Sequence, residues 1–350
     1  MFFASDNWAG AHPKIAAGLA AQAEGFSTAY GDGDLDRAVY ARFSEIFERE
    51  VAVFFVATGT AANSLSLAAY NKAGGISLCH RESHIVEDEC GAPEFFTGGS
   101  RLLPVDGALG RIDPHRLEKA LARFDPQFVH AGRPMAVSIT QSTEIGTLYP
   151  LEDIERICAL AKRHDLPVHL DGARFANALV ALDTTPAEMT WKRGVDIVSF
   201  GGTKNGCWCA EAVVMFDLDR ASEMAFLRKR SAQLFSKSRF IAAQFDAYFK
   251  DGLWLETARH ANAMAARLAG MIEKSPEARL AWRPQANEVF AILKKAEAER
   301  MQAAGAAFYD WHPPAGFEGA IAGDEALYRF VTSFATTTDH IDRFAAFLAA

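Results

Sequence analysis

Short apolar runs alternate with helical patterns through the first two thirds of this chain. The runs are Val51–Val56, Ile76–Cys79, Arg101–Val105, Ala136–Thr140, Leu166–Leu170, Val195–Phe200 and Ala212–Phe216. Helical patterns lie between them, at Thr60–Tyr70, Pro114–Arg123, Leu151–His164 and around Thr185–Lys192. Strands spaced by helices predict βαβ units, hence an α/β fold with a mainly parallel central sheet and helices on both faces. Boundary residues agree. Asp113-Pro114 sets an N-cap before a proline at the first helical position. Pro150 opens a helix that carries Glu152, Asp153 and Glu155 near its positive end.

Past residue 240 the texture changes. Arg239 to Lys274 is long and helix-rich, interrupted at Asp251-Gly252, and shorter elements follow at Val289–Leu293 and Tyr328–Ser333. This predicts a large unit over residues 1–242 and a smaller C-terminal α+β domain over 243–350, with the first few residues of the chain packing on the small one. The 350 residues are enough for two such units. Lys plus Arg is 36 against 44 Asp plus Glu, a net charge of −8, and neither part is basic, so nucleic acid is not an expected partner. The stretch from Val51 to Asn71 is uncharged, yet Thr58, Gly59, Thr60, Asn63, Ser64 and Ser66 interrupt it. It reads as strand, turn and helix rather than a membrane span. Five scattered cysteines and an N-terminus without a basic start or long apolar core predict reduced thiols and a cytoplasmic protein.

Three segments sit where an apolar run stops, which is where open α/β sheets bind ligands. Ala57-Thr58-Gly59-Thr60-Ala61-Ala62-Asn63 joins a strand to a helix. Its small residues and helix N-terminus suit a phosphate, although they equally suit a capped helix packed closely. It is neither G-x-G-x-x-G nor Walker A. Val168-His169-Leu170-Asp171-Gly172-Ala173-Arg174 ends a strand on a carboxylate, with a cation three residues on. That pair can hold a protonated heterocycle or a carboxylated ligand, or can simply cap the next helix. Ser199-Phe200-Gly201-Gly202-Thr203-Lys204-Asn205-Gly206 places a lysine on a glycine-rich turn. Alone it reads as an exposed turn lysine. A Schiff-base lysine, however, needs such a partly desolvated setting. Together the three supply a phosphate cup, a carboxylate and an amine in the order that pyridoxal 5'-phosphate requires.

The same segments carry a family resemblance over nearly the whole chain. With Ala4-Ser5-Asp6-Asn7, Ala29-Tyr30-Gly31-Asp32, His84, Asp88-Glu89-Cys90-Gly91-Ala92-Pro93-Glu94 and Tyr328-Arg329-Phe330-Val331-Thr332, the sequence resembles the low-specificity L-threonine aldolases. These are pyridoxal phosphate enzymes of the aspartate-aminotransferase-type fold. The resemblance implies cleavage of L-3-hydroxy amino acids to glycine and an aldehyde. It implies that Lys204 forms the Schiff base, Asp171 pairs with the pyridine nitrogen, Thr58, Gly59 and Thr60 cradle the phosphate, and His84 stacks on the ring. Ser5, Arg174 and Arg329 would hold the substrate carboxylate, with Arg174 also beside the cofactor. Tyr30 and Arg239 would reach a neighbouring subunit's site in a homo-oligomer. Other pyridoxal phosphate reactions (β-elimination, racemisation, transamination), or binding without catalysis, fit the same cofactor residues.

Two departures stand out. Where many members carry a second histidine in Thr-His-x-Gly, this chain has Thr143-Glu144-Ile145-Gly146. Where they have Tyr-Gly-Asp-Asp, it has Tyr30-Gly31-Asp32-Gly33. The expected base for the β-hydroxyl is therefore His84, with Glu144 as support or rival. Cys207-Trp208-Cys209 reads as thiols buried beside the site rather than a metal ligand pair, and no metal is expected.

Overall fold

The computed structural model describes residues 1–125, 127–317 and 319–348. Its large sheet contains seven strands: β1 (Ala52–Val56), β2 (Gly75–His80), β3 (Arg101–Val105), β4 (Arg133–Thr140), β5 (Val168–Gly172), β6 (Ile197–Gly201) and β7 (Glu211–Met215), in the order β1-β7-β6-β5-β4-β2-β3. All neighbours pair in parallel except the two pairs made by β7. The exception has a simple cause. A parallel connection needs a crossover of a dozen or more residues, whereas β6 and β7 are joined by a tight turn that holds Lys204. Because β7 runs backwards on both sides, the carboxyl ends of β1, β5 and β6 open at the same edge.

β2, β5, β6 and β7 are buried along their whole lengths, in keeping with helices on both faces. One apolar cluster joins Phe43, Phe47, Phe200, Phe245 and Phe249, several of them edge to face at 5.0–6.3 Å. The helix expected near Thr185–Lys192 is a short helix, Pro186–Met189, followed by the single turn Trp191–Arg193. Thr190 breaks it, at φ −125° and ψ −104°.

The second sheet is antiparallel, in the order β10-β11-β9-β8: β8 (Ala278–Leu280), β9 (Glu288–Lys294), β10 (Tyr309–Trp311) and β11 (Glu325–Val331). The helix Leu253–Ile272 serves both cores. Its Leu253, Trp254 and Ala258 belong to the cluster under the large sheet, and its Ala265, Leu268, Ala269 and Ile272 to that under the small one. The N-terminal tail also crosses over. Phe3 donates its N–H to Ala307 and accepts from the N–H of Val331, and Met1 and Phe3 join the small unit's core. This delivers Ser5 and Asp6 to the seam between the two units.

Candidate active site

β1 stops at Val56, and Thr58, in extended backbone, caps the helix Gly59–Ala68. Thr58 Oγ1 accepts from the Ala61 N–H at 3.1 Å. The N–H groups of Gly59 and Thr60 find no acceptor among the described residues and point off the helix end. A side chain built on Gly59 would meet nothing within 4 Å. The site above this turn is thus an open cradle of N–H donors at the positive end of a helix, fit for a phosphate.

Asp171 is buried near the end of β5. Its Oδ1 accepts from the Ala173 N–H at 3.0 Å and its Oδ2 from Asn63 Nδ2 at 2.9 Å. The same amide donates to Glu89 Oε1 at 2.8 Å, and Glu89 Oε1 in turn holds His84 Nδ1 at 2.8 Å. A buried relay therefore runs Asp171–Asn63–Glu89–His84. Burial pushes the His84 imidazole toward lower pKa, but the Glu89 hydrogen bond and the charges of Glu144 and Asp171 outweigh it and leave it raised. His84 Nε2 has no partner among the described residues. Behind Asp171, His169 bridges Ser138 and Ser199, at 2.9 Å on each side, and burial lowers its pKa to about 4.

Lys204 stands on the one-turn helix Thr203–Asn205 directly after β6. The turn is fixed on both flanks. Asn205 Nδ2 donates to Tyr248 Oη at 2.7 Å and to the Trp254 carbonyl at 2.8 Å. The Thr203 N–H donates to Glu211 Oε1 at 3.2 Å. Gly201 matters here: a Cβ would lie 2.4 Å from the Ala173 carbonyl oxygen, so only glycine lets the end of β6 close on the loop after Asp171. Lys204 Nζ itself has no hydrogen-bond or ion-pair partner among the described residues. Buried Glu211 lines the same space, and desolvation pushes its pKa up to about 7.

Thr58, Gly59, Thr60, His84, Asp171 and Lys204 thus surround one cavity of about 270 Å³, together with Asn63, Ala173, Thr203 and Glu211. An anion cradle, a buried carboxylate and an unpaired amine face each other there, which fits pyridoxal phosphate. The remaining expected residues lie elsewhere. Arg174 is buried in the seam, where Nε and Nη2 donate to Asp6 at 2.8 and 3.2 Å, with Glu288 Oε1 at 3.3 Å from Nη2. Arg329 lies in the same seam, 3.8 Å from Glu288 and 4.2 Å over the Trp311 ring. Glu144 is buried on the turn between β4 and the next helix. Ser5 Oγ accepts from the Asn7 N–H at 3.1 Å.

Tyr30 and Arg239 are outside this cavity. Tyr30 is 51% exposed at φ +63°, and Arg239 donates to the Gly25 carbonyl at 3.2 Å. Sequence reading passed over the roles of Asn63 and Glu89, although both stand in the motif stretches, and missed Asp6, Glu211 and Glu288 as site residues. Glu288 has no local motif to mark it. Among the described residues no group of three or more His, Cys, Asp or Glu could hold a metal, and no helix is long and apolar enough to cross a membrane.

The beta-eliminating lyase family model matches residues 3–296. The low specificity L-threonine aldolase of Pseudomonas aeruginosa is 41% identical over 308 residues, 88% of this chain and 88% of that one. Its counterpart from a Pseudomonas species is 39% identical over the same shares. Among solved structures, the threonine aldolase of Leishmania major superposes with a TM-score of 0.90 at 28% identity, covering 99% of this chain and 98% of that one.

Proposed function

The chain belongs to the beta-eliminating lyase family, and within it to the low-specificity L-threonine aldolases, and from that premise we propose that it cleaves L-threonine, L-allo-threonine and related L-3-hydroxy amino acids to glycine and an aldehyde, using pyridoxal 5'-phosphate. The observation that carries this reading is the unpartnered Lys204 amine facing Asp171, His84 and the N–H cradle at Thr58–Thr60 in one cavity. Bound pyridoxal phosphate supplies an electron sink for bonds broken at the amino acid's Cα.

The protein's residues do the rest. Lys204 would hold the cofactor through its side-chain amine. Asp171, buried and held by Asn63 and Ala173, supplies the negative charge that keeps a proton on the ring nitrogen. Gly59 and Thr60 fix the phosphate by their N–H groups. Arg174 and Arg329, with Ser5, would hold the substrate by its carboxylate and so select which of its Cα bonds breaks. His84, anchored through Nδ1 by Glu89, keeps Nε2 free to take the β-hydroxyl proton. Glu144 supports it through charge.

Tyr30 and Arg239 serve a neighbouring subunit in a homo-oligomer of at least two copies. Their place outside their own cavity and the 67% exposure of Trp208, close after Lys204, support this. The unpaired state of all five cysteines supports a cytoplasmic location.

The test is product analysis. Purified protein with pyridoxal phosphate, given L-threonine, L-allo-threonine and L-phenylserine, should release glycine and aldehyde in equal amounts. Keto acid or ammonia without glycine would replace aldol cleavage by another reaction of the cofactor.

A further inference from the structure

Glu288 opens β9 with no solvent exposure. Among the described residues neither of its carboxylate oxygens receives a hydrogen bond, yet Oε1 lies 3.3 Å from Arg174 and 3.8 Å from Arg329. It is wedged between the two guanidinium groups assigned to the substrate carboxylate. Asp6 faces Arg174 from the other side and is held by two hydrogen bonds from it and one from Asn287. Glu144 closes the cluster. Its turn passes through Gly146 at φ +71°, where a Cβ would lie 2.9 Å from Glu288 Cβ. The charged groups facing Glu288 are thus Arg329 from β11, Arg174 from the loop after β5, Asp6 from the N-terminal tail and Glu144 from this turn.

The cluster already holds more anions than cations: Asp6, Glu144 and Glu288 face Arg174 and the mostly buried Arg329. A substrate carboxylate would add a further anion beside the buried Arg174, Asp6 and Glu288. An uncompensated buried charge is strongly unfavourable, and such groups neutralise instead. One resident carboxylate must therefore give way. Asp6 is ill suited: burial favours its neutral form, but Arg174, Lys204 and Asn287 together outweigh burial and hold its pKa below the usual range. The Glu288 carboxylate has no hydrogen bond among the described residues.

We propose that Glu288 is the charge-compensating residue of the carboxylate site, standing between Arg174 and Arg329 as an anion in the ligand-free enzyme and taking one proton from solvent when a ligand carboxylate binds them. The proton ends on a Glu288 oxygen; no bond to the ligand forms or breaks. Burial, only partly offset by the two arginines, raises Glu288 to about 7, so the exchange falls in the working range of pH. This rests on the reading that Arg174 and Arg329 receive the substrate carboxylate.

The probe is 3-hydroxybutyrate, which has threonine's carboxylate and hydroxyl but no amine to react with the cofactor. Its binding to the pyridoxal phosphate-loaded enzyme is followed by calorimetry in buffers of different ionisation heat, from about pH 5.5 to about pH 8.5. Proton uptake should rise from near zero to about one per ligand, and Kd should weaken by up to about tenfold per pH unit above pH ~7. Glu288→Gln should abolish the uptake and the pH dependence while keeping the cofactor's absorbance. Glu144→Gln should keep the uptake. Binding without proton uptake in the wild type, uptake that survives in Glu288→Gln, or uptake lost in Glu144→Gln would each overturn the inference. If Glu288→Gln does not fold, the wild-type proton count decides alone. Failure of the ligand to bind at any pH would instead remove the arginine carboxylate site, and the inference with it.

Discussion

At the scale of single residues, the site works by setting buried carboxylates against fixed partners. Glu89 is the clearest case. Its hydrogen bond to His84 Nδ1 counters the effect of burial and keeps that imidazole's pKa above its ordinary value. Glu89→Gln should therefore lower the His84 pKa. If Nε2 is the base, the acidic limb of the cleavage profile should move to lower pH. A limb that stays in place would detach the base from this relay. His84→Phe, which keeps an aromatic ring, should lose cleavage far more than Glu144→Gln, and the reverse order would transfer the role to Glu144.

Glu211 makes a stability prediction. The folded protein holds its proton up to about pH 7, whereas the unfolded chain releases it near the ordinary 4.5. As pH rises between these values the folded state loses stability relative to the unfolded one, and above about 7 the deficit is constant. Glu211→Gln should match the wild type near pH 4.5 and exceed it near pH 8 in chemical denaturation. A variant less stable at pH 8 than at 4.5, relative to wild type, would contradict the burial cost.

At the scale of elements, every strand of the large sheet was readable to within a few residues, because each is a short apolar run ended by small or polar residues. The antiparallel course of β7 was not readable from such runs. It follows from the length of the β6–β7 turn rather than from the strand's own composition. The helices Pro13–Ala21 and Asp34–Ile46 also escaped a reading built on alternation, since they precede the first strand. Of the site, the three strand-end segments were legible because each contributes a local signature. The seam was not. Asp6, Arg174, Glu288 and Arg329 are brought together from four separate elements, and nothing in the run Gln285-Ala286-Asn287-Glu288 marks a carboxylate that faces two arginines.

Gly201 tests how closely β6 must approach the Asp171 loop. Gly201→Ala puts a Cβ against the backbone of Ala173, which cannot swing aside as a side chain would. It should cost about 1–3 kcal/mol of stability and weaken cofactor retention. Unchanged cofactor affinity at unchanged stability would show that the approach has slack.

At the scale of the whole molecule, two sheets share one long helix and the N-terminal tail ties them together, so the seam of Arg174, Glu288 and Arg329 is built by both, while the cofactor cavity is lined from the large-sheet side and by Asn7 of the tail. Tyr30 and Arg239, outside their own cavity, make assembly part of the account. Sedimentation at assay concentration should show a dimer or larger, and a fully active monomer would refute it. The chemistry turns on the amine at the end of β6. Protein loaded with pyridoxal phosphate, reduced with borohydride, digested and mapped by mass spectrometry, should carry the phosphopyridoxyl group on Lys204. A stoichiometric label on another lysine, or none with cofactor bound, would contradict it.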